Sequence, residues 1–99
     1  MTDGLPTYAD VEAAARRIAP HVHRTPVLHS TELSRRLGLR VDFKCENFQK
    51  AGAFKSRGAC NAVFALSDAE AARGVATHSS GNHAAALARA AQRRGIPAY

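Results

Sequence analysis

Lys55 carries the most pointed chemistry in this chain, set in Phe54-Lys55-Ser56-Arg57-Gly58-Ala59. A lysine beside an aromatic ring and small residues, at the opening of a helix, meets two effects that disfavour its ammonium form. Apolar neighbours desolvate the charge, and the positive end of the helix dipole repels it. An amine held near neutrality is suited to forming Schiff bases with carbonyl compounds. A second polar group follows downstream, Thr77-His78-Ser79-Ser80-Gly81-Asn82-His83-Ala84. It lies between a short extended run and an alanine-rich helical pattern, so its N–H groups stand outside the helix ladder and form a nest for an anion. Gly81 lets a ligand approach the backbone, and the serines and Asn82 add side-chain donors. Two uses are open to such a turn. It receives a carboxylate or phosphate, or Ser80 or Asn82 merely caps the helix.

The elements that must position these groups read as an α/β unit. After a loose start over residues 1–6, Thr7 and Asp10 form a capping box. Val11, Ala14, Ala15 and Ile18 line one face of a helix stopping near Pro20. A connector, His21 to Pro26, leads to a short extended piece at Val27-Leu28. Ser30 or Thr31 caps a second helix through Leu33 and Leu37, ended by Gly38. Val41 to Glu46 alternates as a strand does, and Gln49 to Ala53 is a loop in which Gly52 is free to adopt unusual dihedrals. A third helix runs from Lys55 or Ser56 to Leu66 with Ala59, Val63 and Leu66 on one face. Ser67 and Glu70 box a short fourth helix, stopped at Gly74.

The clearest unit comes last. Val75 to His78 reads as a strand and Ser79 to Gly81 as a tight turn. Asn82 to Arg94 is a helix with Ala84, Leu87, Ala88 and Ala91 on its buried stripe; Gly95 closes it and Ile96 to Tyr99 begins another strand. Strand, helix, strand is a crossover, which implies helices packed on a parallel sheet. In such sheets ligands bind at the carboxyl ends of the strands, where the Ser79–Asn82 turn falls.

Composition excludes several classes. The net charge of +6 invites a nucleic-acid reading, but the arginines are scattered and several lie toward helix ends, where cations complement the dipole. The aromatic residues do not interleave with them as stacking platforms. Cys45 and Cys60 lack the spacing of a metal or redox pair and suit reduced core thiols of a cytoplasmic protein. No apolar run reaches the length of a membrane span, and the first residues lack the apolar stretch of a signal peptide. His21 and His23 have no cysteine or acidic companions, so no metal site is expected. Glu46 reads as a structural acceptor at a strand end, and Asp3, Asp42 and Asp68 have no catalytic partner in view.

The chain resembles the fold-type II pyridoxal phosphate enzymes, in the branch of serine/threonine dehydratases and serine racemase. The matching stretches are Arg24-Thr25-Pro26-Val27, Lys44-Cys45-Glu46-Asn47-Phe48-Gln49, Phe54-Lys55-Ser56-Arg57-Gly58-Ala59-Cys60-Asn61-Ala62 and Ser79-Ser80-Gly81-Asn82-His83. The resemblance runs from about residue 7 to the last residue. It implies that residues 1–99 are the N-terminal part of a longer enzyme, a single incomplete α/β unit of the tryptophan synthase β-like fold. It implies pyridoxal 5'-phosphate as cofactor, bound covalently by Lys55, with Phe54 packing near it and Asn82 holding the ring 3-hydroxyl. Ser79, Ser80, Gly81, Asn82 and His83 would surround the carboxylate of a small amino-acid substrate. Ser80 would face Lys55 across the substrate, as racemisation requires of two acid/base groups. A homo-oligomer, dimer or tetramer, is implied for the full-length protein.

Two departures stand out. Ser56 replaces the apolar residue usual after the lysine, and Ala84-Ala85 replaces the Gly-Gln of animal serine racemases, so nucleotide activation is not implied. The glycine-rich loop that grips the cofactor phosphate, the partner of the pyridine nitrogen and the cation ligands are not within these residues. The expectation is an ammonia-lyase acting on serine, threonine or a related hydroxy amino acid, with racemisation as the alternative. A basic nucleic-acid-binding module without catalysis, or an inactive truncated remnant, are the contrasting readings.

Overall fold

The computed structural model describes residues 4–99; Asp3 and the beginning of the loose start lie outside the described residues. Helix α1, Tyr8–Ile18, opens on the expected box. Asp10 N donates to Thr7 Oγ1 (3.3 Å), and Thr7 N donates to the Asp10 carboxylate (2.7 Å). Of its apolar face only Ile18 is fully buried, while Val11 stays exposed. Strand β1, Val27–His29, pairs antiparallel with β2, Asp42–Lys44, with Leu28 opposite Phe43. Between them α2, Thr31–Leu37, is capped by Ser30 and ends at Gly38, whose φ is 66°. The alternating segment is shorter than its pattern. Ser34 Oγ takes the Val41 N–H (2.9 Å), and the chain turns into a 3-10 segment at Glu46–Phe48. A second such turn spans Lys50–Gly52.

Helix α3 is Lys55–Ala65, α4 Asp68–Ala71 and α5 Asn82–Arg94. Ser67 and Glu70 box α4 as expected, and Gly95 closes α5 at φ 74°. The crossover around α5 is real but its strands are minimal. Val75 bridges Ala98 in parallel, through Val75 N to Pro97 O (2.9 Å), Tyr99 N to Val75 O (2.9 Å) and Thr77 N to Tyr99 O (3.0 Å). A lone pair of such segments has one bonded edge each, too little to extend the ladder. Gly74 stands where a Cβ would lie 2.7 Å from Pro97 O, so the close approach of these segments requires glycine there.

One cluster forms the core: Ile18, Ala59, Cys60, Val63, Ala86, Leu87 and Ala90. Two expected faces are corrected. On α5 the buried residues are Ala86, Leu87, Ala90 and Ala91, whereas Ala88 is exposed and Ala84 only half-buried. Alanines on both sides of this helix carry no signal of facing, and contact with α3 chooses. On α3 the buried residues are Ser56, Ala59, Cys60 and Val63, and Leu66 has left the helix with ψ 143°. Both cysteines are buried and free, and burial pushes the Cys60 thiol up.

Arg94 sets the direction of the pair. Its guanidinium, at the last residue of α5, donates to the carbonyls of Val63 and Leu66 (2.8 Å for the latter), which close α3. The carboxyl ends of α3 and α5 are therefore tied together. Helix α5 also packs against the Lys50–Gly52 turn that leads into α3.

Candidate active site

Lys55 is the first residue of α3, as its sequence context implies. Its surroundings differ from expectation. Lys55 is exposed and Phe54 is 61% exposed, the ring facing solvent with Nζ 5.3 Å from its centroid. The apolar desolvation inferred from the sequence is therefore not supplied by this ring. Among the described residues Lys55 has no ion-pair partner. The amine is thus free to form a bond.

The turn before α5 is held from one side only. Ser79 Oγ accepts from Gly81 N and Ala84 N, both at 3.3 Å. Capping falls to Ser79, not to Ser80 or Asn82 as the sequence suggested. Both lone pairs of its oxygen are engaged, and its proton remains available to an acceptor. The N–H groups of Asn82 and His83 have no protein acceptor among the described residues. Ser80, Asn82 and His83 are exposed and their side chains make no hydrogen bond among these residues. Gly81 is open, with nothing within 4 Å of the position a Cβ would take. Free N–H groups at a helix start, hydroxyl and amide donors and a bare backbone suit a carboxylate.

The lysine is supported from beneath by a polar network that the sequence reading did not find. Arg57 makes a fork onto Glu46, Nε to Oε2 at 2.9 Å and Nη2 to Oε1 at 2.7 Å, and Thr25 Oγ1 donates to the same Oε1 at 2.5 Å. The Arg57 guanidinium, and then the Thr25 hydroxyl, hold the Glu46 carboxyl down at about 2. Glu46 is thus ionised and engaged, a structural acceptor as expected. Gln49 is buried, its Oε1 accepting from His23 N (2.8 Å) and Lys50 N (2.9 Å) while Nε2 donates to His23 O (2.8 Å). Arg57 had been counted among scattered surface cations, and Gln49 among loop polars. The available signal was their place on either side of Lys55, within reach of a strand-end acid.

His21 stacks on Phe64 with centroids 3.8 Å apart, and desolvation lowers its pKa. No group of three metal-ligating side chains occurs among the described residues. A concavity of about 360 Å³ lies between α1, the connector and Arg57, away from Lys55 and Asn82. A cleft of about 260 Å³ lies beside Ser79, lined by Thr77, Leu87 and Tyr99. Lys55, Ser80, Asn82 and His83 themselves lie on an open surface.

A lysine without an ion-pair partner thus opens α3, and a turn with free donors opens α5, the helix packed against it. The family model for pyridoxal-phosphate dependent enzymes matches residues 18–99. The chain belongs to this family. Pyridoxal phosphate is its cofactor, and the fold is fold-type II. The chain is similar to the beta-hydroxyaspartate dehydratase of Paracoccus denitrificans, 61% identical over 93 residues that are 94% of this chain and 30% of that protein. It is similar to the serine racemase of Oryza sativa subsp. indica, 64% identical over 89 residues, 90% of this chain and 26% of that protein. The structure of maize serine racemase superposes with a TM-score of 0.88 at 59% identity, over 92% of this chain and 29% of that one. The chain therefore spans between a quarter and a third of these relatives' length. No described helix is long and apolar enough to cross a membrane.

The residues present fit the cofactor. An unpaired lysine amine at the start of α3 is available for the aldehyde, and donors without acceptors at the start of α5 suit an anionic group.

Proposed function

We propose that the complete protein is a pyridoxal phosphate-dependent ammonia-lyase converting serine, threonine or a related 3-hydroxy amino acid to a 2-oxo acid and ammonia. The carrying observation is that Lys55, without an ion-pair partner among the described residues, opens α3, while the turn before the packed helix α5 presents N–H groups without protein acceptors. When bound, pyridoxal phosphate supplies an aldehyde carbon for an amine and a ring that withdraws electrons from the substrate Cα.

With the cofactor bound, Lys55 Nζ would hold it covalently and, as the free amine, would take the proton from the substrate Cα. Phe54 would pack beside the cofactor and Asn82 would donate to its ring hydroxyl. The N–H groups of Asn82 and His83, with the hydroxyls of Ser79 and Ser80, hold the substrate carboxylate. Gly81 leaves that carboxylate room. Departure of the β-hydroxyl as water gives an enamine, whose hydrolysis returns that water and releases ammonia and the 2-oxo acid.

Racemisation is the second reading, favoured by the free hydroxyl of Ser80. Placed on the face opposite Lys55, Ser80 Oγ would return a proton to Cα with inversion. The 3-hydroxyaspartate dehydratase and serine racemase relatives support the two reactions alike. The alternative of a nucleic-acid module predicts salt-sensitive binding to nucleic acid and indifference to pyridoxal phosphate.

Borohydride reduction of the complete holoenzyme, followed by peptide mapping, tests the central assignment. Lys55 is expected to carry the label; a label on another lysine, or none, defeats it. Incubation with L-serine and with 3-hydroxyaspartate then separates the reactions, by 2-oxo acid release for the lyase and by D-enantiomer for the racemase.

A further inference from the structure

Lys55 is reached through an unusual stretch of backbone. Ala51 and Gly52 both have positive φ, 55° and 67°. For alanine this costs on the order of 1 kcal/mol, so the turn persists only if its surroundings hold it. Phe54, at the cap position of α3, makes no capping hydrogen bond. One side chain spans the whole approach. Ser56 is 1% exposed, and its Oγ donates to the carbonyl of Lys50, the peptide just before Ala51. No other donor among the described residues reaches that carbonyl. The bond joins the residue after Lys55 to the residue before the left-handed turn, and so encloses the segment that aims Lys55.

We propose that Ser56 is a positioning residue for Lys55, its hydroxyl fixing the Lys50–Ser56 segment so that the amine meets the cofactor aldehyde at a set place. This rests on the assignment of Lys55 as the cofactor lysine. An apolar residue at position 56 fills the same buried space but leaves the Lys50 carbonyl without a donor. The chain then retains its core while the approach to Lys55 loosens.

The test uses the complete protein, three substitutions at Ser56 and one control. Ser56→Val and Ser56→Thr have matched shape and differ in the hydroxyl; Ser56→Ala removes the donor without adding volume. Val63→Ala, in the same helix and core but away from the turn, controls for general loss of stability. Cofactor affinity is read by titrating pyridoxal phosphate against its absorption on the protein, with kcat, KM and the melting temperature measured alongside. Ser56→Val and Ser56→Ala are expected to bind the cofactor about tenfold more weakly, and Ser56→Thr within about twofold of the parent. The loss should fall on kcat with KM little changed, and Val63→Ala should lower the melting temperature while keeping its cofactor affinity. Equal affinities for Ser56→Val and Ser56→Thr would overturn the role. If both fail to fold, Ser56→Ala against Val63→Ala decides it: equal weakening of the cofactor by these two overturns it. Reduction that labels Lys55 in the parent while Ser56→Ala binds normally defeats this role alone. Reduction that labels another residue defeats the lysine assignment and the Ser56 role together.

Discussion

Helices α1 and α4 begin differently from α3 and α5. The first two open on reciprocal capping boxes, Thr7 with Asp10 and Ser67 with Glu70, each placing a carboxylate in the first turn. Their free N–H groups are met and their dipoles compensated. Helices α3 and α5 carry no acid in the first turn, and neither cap residue donates a side chain to the ladder. The closed pair belongs to scaffold. The open pair begins at Lys55 and at the Ser79–His83 turn, and at the latter the uncompensated N–H groups suit an anion. Support for these open ends comes from behind them: Gln49 and Ser56 under α3, and Ser79 under α5.

The largest effect should come from the open end of α3. Lys55→Ala in the complete protein is expected to abolish the cofactor's absorption on the protein and to lower turnover at least about a hundredfold. An unchanged spectrum would mean that this helix start is as inert as that of α1. Next comes the support beneath it. Glu46→Gln should cost on the order of 2 kcal/mol of stability, allowing for screening at the partly open Arg57. The sign follows from the depressed pKa. Glu46 contributes fully above its ordinary value of 4.5 and progressively less as pH falls toward about 2. Urea melts between pH 7 and 2 should show a steeper acid loss in the parent than in Glu46→Gln. Parallel curves would place no such burden on this pair.

The closed and open starts can also be set against each other directly. Thr7→Ala and Ser79→Ala each remove a hydroxyl that accepts from helix N–H groups, and each should cost about 1 kcal/mol by denaturant melts. Only Ser79→Ala should also weaken binding of the substrate carboxylate, read as a raised KM. Equal KM values for the two variants would break the distinction. The smallest effect is the sharpest. His83→Glu gives α5 the acid that α1 and α4 possess and should stabilise the helix by about 0.5 kcal/mol at low salt. The same change should repel the substrate carboxylate, so that stability and KM rise together.

Much of the fold was legible in the residues. Capping boxes, glycine stops and the Ser79–Asn82 turn are local devices whose partners lie three or four positions away, so sequence displays them in full. The motif around Lys55 and the one at Ser79–His83 likewise marked the two helix starts on which the proposed site rests. Faces were less legible where chemistry was uniform. Ala84 and Ala88 match Ala86 and Ala90 in every respect but position, and only α3 distinguishes them. Strand length also escaped, because a ladder depends on a neighbour brought from elsewhere. The supposed desolvation of Lys55 by Phe54 failed for the same reason, since adjacency in sequence does not make a ring cover an amine.

The residue order alone displayed Lys55 at a helix start, the glycine-containing turn before α5, most helix boundaries and the kinship, since each is written in local spacing and side-chain type. Tertiary structure decided that Arg94 ties the carboxyl end of α5 to that of α3, that Arg57 braces Glu46, and that Ser56 reaches Lys50 across the left-handed turn. Those relations depend on which way one helix runs beside another and on which buried donor finds an acceptor. Such pairings are chosen by packing and by the cost of leaving a polar group unmet, neither of which is a property of neighbouring residues.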